Sequence, residues 1–505
     1  MEMRSLVVSQ STKAGLQHVC DIEPSTASPA ILNWARDQIN ICQKSHERCH
    51  IPWIANGGII QISQFLPRRL IDVGQENDAT VKLISQSELA SDSPKYLALS
   101  YCWAGLAGIR LCKSNFETLV EPSRVDVWDK TYRDAIAITR VLGMRYLWVD
   151  ALCIMQPEDG DDGAGLADWR EQAPEMGRIY AHAACVLSAT AAKNTTDAKD
   201  TIVTDLFREK VDKARLSTRG WAFRERVLAT RILHFCDGVV LFECSEMQAS
   251  SSHHISQPPK TTSLIVLCCF ITAGFDLVGE YFARDLTKPT DKIMAIAGLA
   301  QYLPFRFEAG ILFDRYHLLS ALTLLWVRSG SQQELQGITI PPRPKRPVPT
   351  WSWASIDGRI SHKLMQPSAS WSLHHGKRVC RIDCTKDSPT KLLLKLRSPT
   401  FAFDKSKVHF IPDIQLKPGS TQNLQCVPIL YYEASNKKKP KVIIHGIVVK
   451  KANIAELEIG MEMEMEEEPS QELERVGYFW LTTKDMSWKP EHSFGRTSLP
   501  TLVIV

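Results

Sequence analysis

The chain has 505 residues, 44% of them apolar and 23% charged, with a formal net charge of +4. This is ordinary globular composition, long enough for roughly two to four domains, and the small net charge singles out no partner class. Fourteen cysteines without dense, regular spacing argue against a secreted disulfide scaffold and for reduced thiols in a cytoplasmic protein.

The first twenty residues lack a charged segment followed by a long apolar run, so no secretory signal is expected. Residues 1–28 are polar and rich in Ser and Thr, which predicts a disordered N-terminus. An N-terminal extension over 29–94 holds a helix near 31–49 and the strand-like runs "RLIDV" and "VKLI". From 95 to 245 strand and helix patterns alternate, which predicts an α/β domain with a parallel sheet. Its steps are a strand at 96–101, a helix over 131–143 with capping-box spacing at Thr131 and Asp134, and an apolar strand at 146–149. They continue with a helix over about 168–181, in whose first turn Pro174 lies or which it kinks, and a strand at 185–190. The segments "ILHF" and "VVLFEC" flank Asp237-Gly238, a hairpin signal.

Residues 262–335 show helical apolar spacing, and 341–505 form a C-terminal β-rich region interrupted by an acidic run that reads as an exposed loop. The apolar stretch "LIVLCCFITAGF" is only about a dozen residues long, short of the ~20 of a membrane span, so no membrane span is expected. The basic runs at 341–347 and 436–441 have no interleaved aromatics, so nucleic-acid binding is not expected either.

In open α/β sheets ligands bind beyond the carboxyl ends of the strands. Ser100, Tyr101, Trp103, Asp150 and Cys153 occupy those places, either as the rim of a cleft or as a strand end with ordinary core and capping roles. Asp168, Glu171 and Glu175 cluster at a helix start, where carboxylates also serve the helix dipole. Arg219, Glu225 and Arg231 are a second charged set that could equally be structural. Cys42, His46 and Cys49 at i, i+4 and i+7 have metal-ligand spacing, but a closed zinc site needs a fourth ligand from Cys20, His50 or a distant residue. A half-buried thiol stripe is the favoured reading, and no metal is assigned. The phosphate-loop, nucleophile-elbow, zincin and dinucleotide motifs are absent from the sequence.

The ordered blocks "YLALSYCWAG", "TYRDAIAITRVLGMRYLWVDALCIMQ", "DWREQAPEMGRIYAHAACVLSATAA" and "STRGWAFRERVLATRILHF" resemble the fungal heterokaryon incompatibility (HET) domain family. The resemblance spans roughly 95–245, and "WARDQINICQKSHERCH" and "VPTWSWASIDG" resemble segments that accompany the domain. It implies fungal nonself recognition and programmed cell death signalling by an effector that self-associates or binds a protein partner. It also implies a TIR-like fold, and with it the alternative of a NAD glycohydrolase that cleaves the nicotinamide bond. On that alternative NAD is a substrate, no cofactor is bound, and Glu171 is the first catalytic candidate, with Asp150 and Glu225 beside it. Trp103 or Trp169 would stack on a ring, Arg219 would meet a phosphate, and Ser100, Tyr101 and Trp221 would complete the ligand site. The sequence departs from the family pattern at Gln172, at Arg224 before Glu225, and at "DLF" over 205–207.

Overall fold

The computed structural model describes residues 26–50, 54–55, 58–59, 65–89, 94–103, 109–159, 163–190 and 206–257 of the first half. In the second half it describes 281, 284, 306–308, 311–313, 323–328, 343–344, 348–356, 360–361, 377–378, 381–386, 392–398, 400–404, 406–416, 423–434, 441–452, 472–483 and 501–505. The expected disorder over 1–28 therefore lies outside the described residues except at 26–28, where Ser28 has a defined place, and most of the 262–335 region and the apolar stretch 264–275 lie outside them too.

Helix α1, Pro29–Ser45, starts where Ser28 accepts a hydrogen bond from the Ile31 N–H and Pro29 supplies a preset φ. Its apolar stripe, Ile31, Leu32, Ala35, Ile39 and Cys42, is buried. The expected helix over 31–49 stops at Ser45, because His46 turns extended and a short 3-10 turn, Glu47–His50, follows.

The first sheet contains ten strands. In chain order they are β1 Arg69–Asp72, β2 Thr80–Ser85, β3 Tyr96–Ser100, β4 Ser123–Arg124, β5 Tyr146–Trp148 and β6 Cys185–Ser188. The hairpin strands β7 Arg231–Cys236 and β8 Val239–Cys244 follow, with β9 Gln248–Ser250 and β10 His253–Gln257 after them. Their spatial order is β10-β9-β8-β7-β6-β3-β5-β1-β2-β4. Three helices lie between the central strands: α2 Lys130–Val141, α3 Ala164–His182 and α4 Gly220–Leu228. α1 packs beside α2, and α3 beside α4.

The expected parallel sheet is corrected to a mixed one. Only β7, β6, β3 and β5 run parallel, and the remaining pairings are antiparallel. The reason lies in the connections: β1–β2 and β7–β8 are joined by short links, which permit only antiparallel pairing, whereas helices separate the four central strands. The Asp237-Gly238 hairpin forms as expected, with Cys236 opposite Val239 and Gly238 at φ +75°. Taken along the chain, the four parallel strands lie side by side in the order fourth, third, first, second. The chain runs on from β3 to β5 on one side and from β6 to β7 on the other, so β3 and β6 bracket a topological switch point, with Ser100 and Ser188 at their carboxyl ends. These strands are buried on both faces, which is why they read as continuous apolar runs.

Two helix starts differ from expectation. α2 begins at Lys130 and the Thr131–Asp134 box is not used; Asp129 stands at the N-cap while its carboxylate accepts from the Ile109 N–H at 3.0 Å. α3 begins at Ala164, after Gly163 in the left-handed region at φ +85°, which places Pro174 in the helix interior rather than its first turn.

The C-terminal region is β-rich as expected, with nine strands in a second sheet. Its spine is the antiparallel run Gln425–Ala434, Lys441–Lys451 and Glu472–Thr483. Inside it the fully buried Arg475 pairs with Asp413 at 2.8 Å and lies 3.6 Å from the Trp326 ring. Where residues 262–335 are described, Tyr281, Thr323 and Leu324 are helical, while Arg306–Glu308, Ile311–Phe313 and Val327–Arg328 are short strands. The last of these is strand because Ile360–Ser361 pairs with it. Tyr281, nearly fully buried, links the two halves: its ring lies 6.1 Å from Phe223 of α4 and 6.4 Å from Trp353. Arg284 donates to the Ser217 carbonyl and stacks over Phe223 at 4.5 Å. No helix among the described residues is long and apolar enough to cross a membrane.

Candidate functional site

The carboxyl ends of β3 and β5 converge. Asp150 opens the one-turn helix Asp150–Cys153 after β5 and accepts from its own Ala151 N–H at 2.7 Å and from the Trp103 indole at 2.9 Å. Tyr101 shares a hydroxyl hydrogen bond of 2.8 Å with Tyr132 of α2, and its carbonyl accepts from the Arg219 guanidinium at 2.9 Å. Burial drives the Asp150 carboxyl up to about 6, against the pull of the Ala151 N–H, Trp103 and Arg219. Cys153 is buried, and burial pushes its thiol up to about 12, so it is an inert core thiol here.

Glu225 reaches the same place from α4. It is buried, and burial raises it to about 7, with the Ser100 hydroxyl acting the other way and the Asp150 charge adding to the rise. The buried Arg224 and the half-buried Arg219 offset part of that cost. Arg224 also lies 4.6 Å from the Trp221 ring, a cation–π contact that keeps Trp221 half-buried against the core. Ser100, Tyr101, Trp103, Asp150, Arg219, Trp221 and Glu225 are thus brought together by two strand ends and one helix.

Glu171 and Trp169 stand elsewhere on α3. Glu171 is 65% exposed and pairs with Arg68 at 2.8 Å. Trp169 packs against the main core, and its neighbour Asp168 is clamped by Arg69 at 2.9 Å and by the Met155 N–H at 2.8 Å. Burial disfavours the Asp168 charge, but Arg69 and that N–H hold its carboxyl below the usual range. The carboxylates expected at a helix start lie inside α3, because it begins at Ala164, and they divide into a buried tie, Asp168, and the more exposed Glu171 and Glu175, which pair with Arg68 and Arg178. Arg231, grouped in sequence with Arg219 and Glu225, lies apart from them and donates to the Cys42 sulfur.

Residues 96–213 match the family model described as Heterokaryon incompatibility protein (HET). This stretch is a HET domain. Comparison with curated proteins and with solved structures returns no match. The matched span contains Ser100, Tyr101, Trp103, Asp150, Trp169 and Glu171, while Arg219, Trp221 and Glu225 follow it on α4.

The sequence did not reveal a second polar set beside the HET domain's switch point. Glu243 of β8 accepts from Arg226 at 2.9 Å, from Gln248 at 3.0 Å, and pairs with the His234 Nε2 at 3.1 Å. On its other side His234 meets the Thr190 hydroxyl at 3.5 Å, which contacts Ser188 at 2.9 Å. Despite burial, Arg226 and His234 hold Glu243 far below the usual carboxylate range, while burial lowers His234. Ser100, Ser188, Ser217, Arg226 and His234 line a cavity of about 20 Å3, room for a single water. Ligand pockets are typically about 300–1,000 Å3. The hairpin placed His234 and Glu243 on facing strands, and only their cross-strand register could have joined them in advance.

Proposed function

We propose that the chain is an effector of fungal nonself recognition, in which the HET domain signals programmed cell death from the cytoplasm by associating with itself or with a protein partner. The observation that supports this reading is that the described polar groups at the strand ends are tied to one another: Glu225 is buried, half-buried Asp150 accepts from Trp103 and the Ala151 N–H, and the cavity between Ser100 and Ser188 has room for about one water. On this reading the domain acts through its surface. Among the domain's described residues, Val127 at 63% and Leu166 at 41% are the exposed large apolar ones. The test is growth arrest on expressing the full chain in a fungal host. Val127→Asp with Leu166→Asp is expected to abolish arrest while circular dichroism stays unchanged, and Glu225→Gln is expected to leave it intact. Arrest that survives the first variant and disappears with the second would reject the reading.

One observation keeps a catalytic alternative. A half-buried and a buried carboxylate, Asp150 raised to about 6 and Glu225 to about 7, beside Ser100, Arg219 and Trp103, are the kind of pair that serves bond cleavage near neutral pH. With NAD as substrate, a carboxylate would stabilise the oxocarbenium-like state as nicotinamide leaves. Glu225 suits that role better than the exposed, Arg68-paired Glu171. Nicotinamide release by the full chain that is lost in Glu225→Gln and kept in Glu171→Gln would support it. No release from NAD at high protein concentration would remove it.

A further inference from the structure

The geometry points to a structural zinc site of Cys3His type, formed by Cys42, His46, Cys49 and Cys244. The ligand atoms of these four side chains all lie within 4.8 Å of one another. A tetrahedron with zinc–sulfur bonds of about 2.3 Å has sulfur–sulfur edges of about 3.8 Å, so the four need only a small contraction to close on one ion. The last turn of α1 supplies Cys42, its C-cap His46, and the following 3-10 turn Cys49. Cys244, the last residue of β8, completes the set from 195 to 202 positions further along, with its sulfur 3.3 Å from the His46 Nδ1. Neither His50 nor any carboxylate takes part in this set.

The surroundings fit a metal. All three thiols are free and buried. Zinc with three thiolates and a neutral imidazole carries one net negative charge, and the buried Arg231 guanidinium donates to the Cys42 sulfur at 3.1 Å, which balances it. The Ser245 N–H hydrogen-bonds Cys49, and the Glu246 carboxylate accepts from the Arg48 N–H at 2.6 Å, which fixes the ligand turn to the end of β8. Thiolate and imidazole donors without an oxygen ligand favour zinc over magnesium or calcium, and four protein ligands leave no open position for catalysis. The ion's task is to staple α1 to the hairpin strand, two elements that both lie outside the 96–213 match. The inference does not rest on the effector reading.

The test is metal content of the full chain, expressed in zinc-supplemented medium and purified with reductant and no chelator. The expected result is about one zinc per chain, falling roughly tenfold or more in Cys244→Ser. It should be unchanged in Cys236→Ser, a buried thiol of the same hairpin outside the cluster. If Cys244→Ser fails to fold, cobalt titration of the metal-stripped wild type decides. One equivalent should give the intense ligand-field and sulfur charge-transfer absorption of tetrahedral thiolate cobalt, reversed by zinc. A folded wild-type chain without zinc and without that spectrum would overturn the assignment, as would an equal zinc loss in Cys236→Ser.

Discussion

Asp150 and Glu225 give the unit built on the first sheet an inverted response to pH. Both carboxyls titrate higher in the folded chain, at about 6 and about 7, than the ordinary values of 3.8 and 4.5. Between those limits the folded state holds protons that the unfolded state has released. The stability these two groups confer is therefore present in acid and declines as pH rises from about 4 to about 7. Asp168, Asp72 and Glu243 act in the opposite sense, losing their contribution as pH falls. The double variant Asp150→Asn, Glu225→Gln should thus gain stability over the wild type at pH 8 and lose the advantage at pH 4, as read by paired urea melts. A second residue-scale outcome concerns Glu243, whose loss would strand Arg226 in the interior: Glu243→Leu should destabilise by about 3–5 kcal/mol in urea unfolding. Of these residues, Asp150 was visible in the sequence because it follows the apolar strand 146–149, and Glu225 because it stands in a charged set with Arg219 and Arg231. His234 and Glu243 were not, because a buried relay leaves no pattern in either strand alone.

Pro174 is the element-scale anomaly. It sits inside α3, where a proline removes one helix N–H and leaves the Arg170 carbonyl without its usual donor. Because the position is exposed, Pro174→Ala should stabilise the chain by about 1–3 kcal/mol, seen as a higher urea midpoint. The same proline explains why the sequence suggested a start near 168: a residue that is tolerated in a first turn pulls the expected boundary toward itself. The strands were legible for a simpler reason. Leu97, Ala98 and Leu99, or Tyr146, Leu147 and Trp148, are buried on both faces and spell continuous apolar runs. Strand direction carries no such mark, and the antiparallel flanks of the sheet became apparent only with the lengths of the connecting links. The final zinc ligand was hidden likewise: Cys244 ends a strand that looks complete without it, and nothing in its neighbourhood points to residue 42.

At the scale of the whole molecule the two sheets meet through a small aromatic joint. Tyr281 spans from Phe223 to Trp353, and Arg284 fastens the same segment to Ser217. Two units with separate cores unfold together only while the contacts between them hold, and among the described residues these contacts include Tyr281 and Arg284. Tyr281→Ala with Arg284→Ala should therefore split the calorimetric transition into two, whereas a single unchanged peak would show that the halves are coupled by other contacts. The helix α1 has a different consequence, one of timing. Its apolar stripe of Ile31, Leu32, Ala35 and Ile39 is covered by the sheet, and it packs on β8, which ends at residue 244. During synthesis at about 5–20 residues per second, roughly 10–40 s pass between the emergence of that stripe and of the strand that shields it. Until α2 and then β8 emerge, the nascent chain carries an apolar helix whose native cover is incomplete, the kind of transiently exposed surface that invites misassembly.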